Sequence, residues 1–299
     1  MSIDNSTFAN CSSLTSVIIG SSVTSINNFA FESCTSLTSV IIPNSVTSIV
    51  SYAFENCTSL TSVTIGSGVT SIYNKAFEGC SALTSVTLNS NAIVSKYSMK
   101  AIFGRQVKEY VIGDDVTSIG FMGFEGCSDL TSITIGSSVK SIGQEAFSSC
   151  FSLTSITIPN SVTSVGESAF ENCTALTSVS LGSGITSIYE KAFEGCTKLT
   201  SVTVLNSTPI AIDSSVFTNR KNATLYVPKG SKDAYRAADY WKEFKEIVEI
   251  DPSGIDQIMG SENGKAMIFT IDGKCVDNLK KGLNVVRMKD GTMRKVVVK

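Results

Sequence analysis

The stretch Leu60-Thr-Ser-Val63-Thr-Ile65-Gly-Ser-Gly-Val69-Thr-Ser-Ile72, followed by Ala76-Phe77-Glu-Gly-Cys80, recurs along most of the chain at intervals of 23 residues. A fixed period of about 20–50 residues is typical of proteins built from stacked repeats. One such unit cannot bury its apolar side alone, whereas stacked units share a continuous core. The sequence therefore predicts a solenoid of about nine coils. The period is visible in the cysteine positions, which are Cys11, Cys34, Cys57, Cys80, Cys127, Cys150, Cys173 and Cys196.

Each unit contains two extended pieces and one corner. Apolar residues alternate with Thr and Ser over residues 60–65, which predicts a strand with one buried and one half-wet face. Gly66 ends this strand, and residues 69–72 form a second short extended piece. The Ala-Phe-x-x-Cys corner, residues 76–80, is expected to form a single helical turn that returns the chain to its start.

This repeat pattern resembles the BspA-type leucine-rich repeat of surface proteins from bacteria and some protozoa. The resemblance covers roughly residues 3–228 and recurs in nearly every unit. It implies a curved leucine-rich repeat solenoid of the α/β type, dominated by short strands. It also implies a role in adhesion or protein binding, usually outside the cell, and no reaction. The ligand does not carry over from the family, because its members differ in what they bind.

Three segments are predicted. Residues 1–228 form the solenoid, with a divergent repeat near 89–112, and residues 229–250 form a cap of one helix and one strand. Ser231 is expected to be the N-cap of a helix over residues 232–244, with Trp241 in the cap core. Residues 251–254 read as a linker, and residues 255–299 as a small all-β module. That module is predicted to have strands at 267–271, 283–287 and 293–298, with a hairpin turn at 289–292.

The C-terminal module also carries a resemblance of its own. Residues 268–274, 281–286 and 295–299 are similar to the C-terminal sorting tails of exported Bacteroidetes proteins. Cys275 stands where such tails usually have a basic residue. A sorting tail would imply delivery to the cell surface or medium, and the alternative is a plain β-module that acts as a second cap.

Charge and composition exclude several functions. Residues 255–299 carry nine basic and five acidic residues, a net of +4, and the remaining 15 basic and 21 acidic residues give −6. This balance is not that of a nucleic-acid binder. No apolar run reaches the roughly 18 residues of a membrane-spanning helix, and no cationic, apolar leader opens the chain. Since Ile3 aligns with Ile26, the chain begins inside a repeat, and we expect it to come from a longer protein.

The cysteine positions favour burial over chemistry. One cysteine per coil at a fixed phase is expected to act as a small buried hydrophobic residue. Stacked cysteines would lie close enough for disulfides, but parallel side chains are poorly oriented for bridging, and zinc normally requires short local ligand spacing. Cys275 lies outside the repeat and is the expected exposed thiol, so native protein should react at about one cysteine at most.

Catalysis has little support in the sequence. The chain has no histidine, which excludes a Ser-His-Asp or Cys-His pair. A carboxylate column could bind a cation or act as a glycosidase pair, but a solvated edge is the favoured interpretation. We therefore predict neither an enzyme nor a bound cofactor or metal. The column consists of Glu32, Glu55, Glu78, Glu125, Glu171 and Glu194.

The exposed side of the sheet is the predicted binding surface. Repeated Thr-Ser pairs would form ladders of hydroxyls that accept a protein or glycan by contact area, although Thr and Ser also serve simply as soluble strand formers. The candidate ligand-binding residues of this surface are Thr61, Ser62, Thr84, Ser85, Thr131, Ser132, Thr154 and Ser155.

The divergent repeat is a second candidate. Its period is 24 residues, with Ala101 in the phenylalanine slot and Gly104 in the cysteine slot. A local departure inside a regular array is a place for a grafted site, but a decayed repeat gives the same pattern. Its candidate ligand-binding residues are Lys96, Lys100, Arg105, Lys108 and Glu109.

These features predict a non-catalytic adhesion or protein-binding scaffold, secreted or at the cell surface. The expected partner is a protein or glycan of a host or neighbouring cell, and the chain is expected to be a monomer. The alternatives are a structural spacer that displays another domain, and a glycan-binding module. Binding to ice or carbohydrate crystals ranks lower, because the threonine rows are interrupted near residue 100.

Overall fold

This computed structural model describes residues 1–250 in full and, beyond them, the backbone of four strands. The described chain forms a β-solenoid of about 11 turns, which confirms the predicted fold class. Up to residue 250 the strands are β1 (Ser2–Ile3), β2 (Ser25–Ile26), β3 (Ser39–Ile42), β4 (Ser48–Ile49), β5 (Ser62–Ile65), β6 (Ser71–Ile72), β7 (Ser85–Leu88), β8 (Glu109–Ile112), β9 (Ser118–Ile119), β10 (Ser132–Thr134), β11 (Ser141–Ile142), β12 (Ser155–Ile158), β13 (Ser164–Val165), β14 (Ser178–Leu181), β15 (Ser187–Ile188), β16 (Ser201–Val204), β17 (Thr224–Pro228) and β18 (Glu246–Ile250). The helices are α1 (Asn91–Val94), α2 (Met99–Phe103) and α3 (Lys232–Ala237), with 3-10 turns at Arg220–Asn222 and Trp241–Glu243.

The longer strands form the main sheet, which is parallel throughout. Its order is β3-β5-β7-β8-β10 in one part, and β12-β14-β16-β17-β18 in the other. Equivalent residues pair across each regular junction, as Ser39 does with Ser62 and Ser155 with Ser178. The nine predicted coils become about 11 turns because β17 and β18 continue the sheet with sequences that have lost the repeat pattern.

The main sheet divides at a proline. In four coils, the residue after the strand donates its N–H to the preceding coil, as Asn89 does to the Ile65 carbonyl and Gly182 to that of Ile158, both at 2.9 Å. Pro159 has no N–H to donate, which removes this rung between β10 and β12. Pro43 occupies the same slot after β3 and also lacks this N–H. In the preceding coil, residues 16–19 form no strand.

The two-residue strands form a second parallel sheet, interrupted by the divergent repeat. Its two parts are β1-β2-β4-β6 and β9-β11-β13-β15. Between them, α1 takes the place of a strand and contacts both β6 and β9. The Asn91 Oδ1 atom accepts hydrogen bonds from the N–H groups of Thr117 and Ser118 at 2.9 and 3.2 Å. This side chain replaces the backbone carbonyl that a regular coil would offer to β9.

The corners are turns rather than the predicted helical turns. In one coil, Tyr52 and Asn56 flank the Ala-Phe pair with left-handed φ values of 62° and 57°. The Phe54 N–H donates to the carbonyl of Ala76 in the next coil at 2.8 Å, rather than to its own turn. The corners therefore stack through hydrogen bonds between coils, as the strands do.

Stacked aromatic rings run through the core and form the aromatic column. Most neighbouring centroids lie 4.9–5.2 Å apart, with ring planes within 11° of parallel. Apolar residues of both sheets surround the column in one continuous core. The column consists of Phe8, Phe31, Phe54, Phe77, Phe103, Tyr110, Phe124, Phe147, Phe170, Phe193 and Phe217.

The cap after the last coils is built differently from the prediction. The helix α3 stops at Ala237 rather than at residue 244, since Ala238 is extended and Tyr240 has a φ of 63°. Ser231 makes no side-chain capping bond. Instead, the Glu249 carboxylate accepts hydrogen bonds from the N–H groups of Gly230 and Lys232. Trp241 is fully buried, which confirms its place in the cap core.

Beyond residue 250, the structure gives an antiparallel sheet of order β20-β19-β21-β22. Its strands are β19 (Met267–Thr270), β20 (Cys275–Val276), β21 (Gly282–Arg287) and β22 (Met293–Val298). The predicted linker at 251–254 and the predicted turn at 289–292 lie outside the described residues, as does the side chain of Cys275. The division into three segments and the sorting tail stay predictions.

Candidate functional site

The outward side of the main sheet, here called the sheet face, carries three rows of residues. In β5, Ser62 and Thr64 face outward while Val63 and Ile65 are buried, and Thr61 just before the strand adds a third position. Because the strands pair in register, equivalent residues of successive coils align in rows. The first row is Thr15, Thr38, Thr61, Thr84, Lys108, Thr131, Thr154, Thr177 and Thr200, and the second is Ser39, Ser62, Ser85, Glu109, Ser132, Ser155, Ser178 and Ser201.

Threonines of the first row use their hydroxyls within the fold. The Thr61 Oγ1 atom donates to the carbonyl of Thr38 at 3.0 Å, and Thr131 Oγ1 donates to that of Lys108 at the same distance. Such a hydroxyl can offer a ligand acceptor lone pairs but no free hydrogen. The sequence predicted that these residues bind a ligand. In the structure their hydroxyls form hydrogen bonds between neighbouring coils.

The second and third rows are more available to a ligand than the first row, whose threonine hydroxyls bond within the fold. Ser132 and Ser155 are exposed, on either side of the division between β10 and β12. The third row begins with Ile18, which is 97% exposed, and Ile41, which is 68% exposed. Sequence reasoning missed both isoleucines. The available signal was isoleucine at a slot where later coils carry threonine, as at Thr64.

The basic residues of the divergent repeat lie on different segments of its coil. Lys96 is exposed in the loop between α1 and α2, whereas Lys108 and Glu109 lie on the sheet face. Lys100, on α2, forms an ion pair with Glu125 at 2.5 Å. The charges of Lys100 and Arg105 both act on the thiol of Cys127, which places them near the cysteine corner. Of the candidate residues in this coil, Lys108 and Glu109 therefore share the sheet face, whereas Lys96 and Lys100 lie on other segments.

The divergent coil keeps the core continuous by different means. Ala101, predicted to occupy the phenylalanine slot, is exposed, and the buried ring that stacks near Phe77 belongs to Phe103. Gly104 leaves the cysteine slot without a thiol. There the Gln106 amide donates to the carbonyls of Cys80 and Phe103 at 3.2 and 2.8 Å. The divergent coil therefore uses Phe103 and Gln106 in place of the usual phenylalanine and cysteine, and its core remains packed.

A cleft opens beside the divergent coil, where the second sheet stops at β6. It has a volume of about 280 Å³ and is lined by Ser51, Ser71, Ile72, Tyr73, Asn74 and Tyr97. Sequence reasoning missed this cleft. A partial signal was Tyr73, an aromatic residue just before the divergent repeat, at a slot that Tyr189 also occupies and that is glycine at Gly120, Gly143 and Gly166.

The repeated cysteines are structural, as predicted, but they do more than fill space. The Cys57 Sγ–H donates to the carbonyl of Phe31 in the preceding coil at 3.2 Å, and Cys150 and Cys173 make the equivalent bonds. Burial raises the pKa of the Cys34 thiol to about 11 and that of Cys196 to about 12. The thiolates needed for reaction or metal binding are thereby disfavoured.

Cys11 departs from the prediction that all eight repeat cysteines are buried, because it is exposed in the first coil. We expect native protein carrying Cys275→Ser to react with a thiol reagent at Cys11 alone, and denatured protein to react at all eight repeat cysteines. Peptide mapping after labelling at pH 8 identifies the site. Rapid labelling of Cys57 or Cys173 in native protein would contradict the buried, hydrogen-bonded cysteine column.

The carboxylate column lies at the corners and is partly neutralised by lysines. Glu78 pairs with Lys75 at 3.1 Å, as Glu125 does with Lys100. Partial burial and the neighbouring charges of Glu32 and Glu78 raise the pKa of Glu55. Within the described residues, no three potential ligands cluster in a way that could hold a metal ion, and no helix has the length and apolarity to cross a membrane.

Several solved structures are similar to this chain. A leucine-rich repeat protein from Bacteroides ovatus ATCC 8483 is 23% identical, with 84% of this chain and 72% of that chain covered and a TM-score of 0.46. The T. pallidum leucine-rich repeat protein is 26% identical, with coverage of 68% and 83% and a TM-score of 0.39. A leucine-rich cell surface protein from Faecalibacterium prausnitzii A2-165 is 23% identical, with coverage of 83% and 89% and a TM-score of 0.32.

No curated protein matches this chain. A family model described as the BspA-type leucine-rich repeat region matches in six copies, over residues 1–119 and 95–224. These residues include the Leu, Cys and Phe columns and both parts of the sheet face. Proteins of such repeats are typically scaffolds rather than enzymes. The chain belongs to the BspA-type leucine-rich repeat family.

Proposed function

We propose that this chain is a non-catalytic adhesion scaffold that binds a protein through the sheet face. The observation that carries the proposal is the combination of two exposed isoleucines, Ile18 and Ile41, with rows of uncharged hydroxyls over the successive strands. Exposed apolar groups rimmed by polar residues are typical of surfaces that bind other proteins. In the solenoid coils, the charged residues of this face are Lys108 and Glu109, near its middle.

The same surface gives no support to catalysis. A reaction needs a singled-out nucleophile or acid, whereas the hydroxyls here are repeated in coil after coil. Binding over a broad face without a deep pocket suits a macromolecular ligand. Family membership and the likeness of residues 268–299 to sorting tails support a location at the cell surface or in the medium. The proposed partner is a surface or matrix protein of a host or neighbouring cell.

The test is binding of the full chain to an immobilised panel of extracellular matrix proteins. We expect at least one protein to bind, and Ser39→Arg or Ile41→Lys to weaken that binding by about tenfold or more, since a charge then enters a desolvated contact. Ser155→Arg tests the other half of the sheet face in the same way. Thr58→Arg is the matched control, because Thr58 is exposed at a corner, outside the sheet face.

Two results would reject the proposal. No binding to any panel member at high micromolar concentration would favour the alternative, a spacer that displays another domain. Equal loss of binding in Thr58→Arg and in the three sheet-face variants would place the contact elsewhere. Thermal melting of each variant separates loss of binding from loss of folding.

A further inference from the structure

The edge of the second sheet at β6 is left open by the divergent coil. In regular coils, the threonine that precedes each short strand and the last residue of that strand offer carbonyls to the next coil. For example, Thr70 N–H donates to the Thr47 carbonyl at 2.8 Å and Tyr73 N–H to that of Ile49 at 2.9 Å. Past β6 no strand follows. Among the described residues, no hydrogen bond reaches the carbonyl oxygens of Thr70 and Ile72.

The divergent coil provides hydrogen-bond partners for the backbone of β9 but not for all of the backbone of β6. On the β9 side, the Asn91 side chain and the Val94 carbonyl accept the N–H groups of Thr117 and Gly120. On the β6 side, the Ser90 hydroxyl donates to the Val69 carbonyl, one residue before Thr70. Of the two residues with open carbonyls, Ile72 lines the cleft beside β6, so its carbonyl is an acceptor to which a ligand with hydroxyl groups can supply the missing donor.

Two tyrosines line this cleft. Tyr73 follows β6 directly and is 53% exposed, and Tyr97 comes from the α1–α2 loop and is half-buried against the core. The remaining lining consists of Ser51, Ser71, Ile72 and Asn74, so none of the lining residues is charged. The volume of about 280 Å³ lies just below the range of about 300–1,000 Å³ typical of small-ligand pockets.

We propose that the cleft between Tyr73 and Tyr97 binds a neutral carbohydrate. The apolar C–H face of a sugar ring packs on an aromatic face, which carries partial negative charge. Sugar hydroxyls are both donors and acceptors, and they match the open Ile72 carbonyl, the Asn74 amide and the two serine hydroxyls of the lining. The absence of charge among these lining residues favours a neutral sugar over a sialylated or sulfated one. The size suits one or two rings at the end or side of a glycan.

An extended peptide is the other ligand that an open strand edge can accept. Adding a strand relies on a run of backbone hydrogen bonds along the edge. The strand β6 has two residues, and α1 already contacts it, so the edge offers too short a run for a peptide. The two tyrosines of the lining also add little to the recognition of a backbone. The geometry therefore points to a sugar.

The test uses the full chain on an array of neutral and acidic glycans, followed by calorimetry with the strongest neutral hit. Tyr73→Ala should weaken binding by about tenfold, as expected for loss of one aromatic stacking contact, while Tyr73→Phe should retain most of the affinity. Asn74→Ala should weaken binding by a smaller factor. Phe151→Ala is the control, since Phe151 is an aromatic residue that is 49% exposed and does not line the cleft.

The outcomes are distinct from those of the sheet-face test, because the cleft lies at the second sheet. The absence of any neutral hit would overturn the carbohydrate site while leaving protein binding by the sheet face intact. Equal loss in Tyr73→Ala and Phe151→Ala would also overturn it. Binding of a fluorescent extended peptide to wild type but not to Tyr73→Ala, together with no glycan binding, would assign the cleft to a peptide instead.

Discussion

Phe147→Ala is expected to lower the free energy of unfolding by about 3–5 kcal/mol, the usual range for a large ring removed from a packed core. Phe147 is fully buried in the aromatic column, with its ring centroid 5.0 Å from those of both Phe124 and Phe170. A cavity here separates the halves of the stack and removes contacts on two sides. Because each coil contacts only its neighbours, we also expect the single unfolding transition to broaden or split.

Urea denaturation followed by circular dichroism measures this effect. Phe151→Ala is the matched control, since Phe151 lies four residues along the same coil but is 49% exposed. A substitution at that position should change the free energy of unfolding by no more than about 0.5 kcal/mol. Similar losses in the two variants would show that the aromatic column does not hold the coils together.

Trp241→Ala is expected to cost a similar amount, about 3–5 kcal/mol, but at one end of the molecule. The Trp241 ring is fully buried, with centroids of Tyr235 and Phe217 at 5.4 and 5.7 Å. Its Nε1–H donates to the carbonyl of Ile210 at 2.8 Å. Loss of the ring uncovers the end of the aromatic column, so we expect the last turns to unfold before the rest.

Hydrogen exchange locates this loss. In Trp241→Ala, protection should fall first at β17 and β18, whereas in Phe147→Ala it should fall in the central coils. Trp241→Phe keeps an aromatic ring but leaves the Ile210 carbonyl without its donor, which costs about 1–3 kcal/mol. Lys242→Ala is the surface control and should be nearly neutral, since its ion pair with Asp239 is exposed. Uniform loss of protection along the chain in Trp241→Ala would contradict a local cap.

The period of the sequence was enough to predict the fold and its register. Residues that share a slot, such as Ser39 and Ser62, lie opposite each other because coils of equal length stack without offset. The same reasoning placed Phe54 and Cys57 in the core. What a column of identical residues predicts well is position, since burial at one coil implies burial at the next.

The period could not predict how each position is used. Threonine suits both a strand and a hydrogen-bond donor, so the sequence alone did not show that Thr61 donates to a neighbouring coil. The left-handed residues Tyr52 and Asn56 have no common residue type, which hid the true form of the corners. In the divergent coil, Phe103 rather than Ala101 enters the aromatic column, and this depends on packing that repeat position alone does not predict. The cleft at Tyr73 arises from the same coil.

Six of the seven buried repeat cysteines donate to the phenylalanine carbonyl of the preceding coil, and this hydrogen bond has the same length, 3.2 Å, at all six junctions. Ring spacing in the aromatic column is nearly constant as well. Regular coils are therefore interchangeable parts. Duplication or deletion of one 23-residue unit between Cys150 and Cys173 would give its neighbours the same contacts as before. The array can change its length, and with it the span of the sheet face, without a redesign of the core.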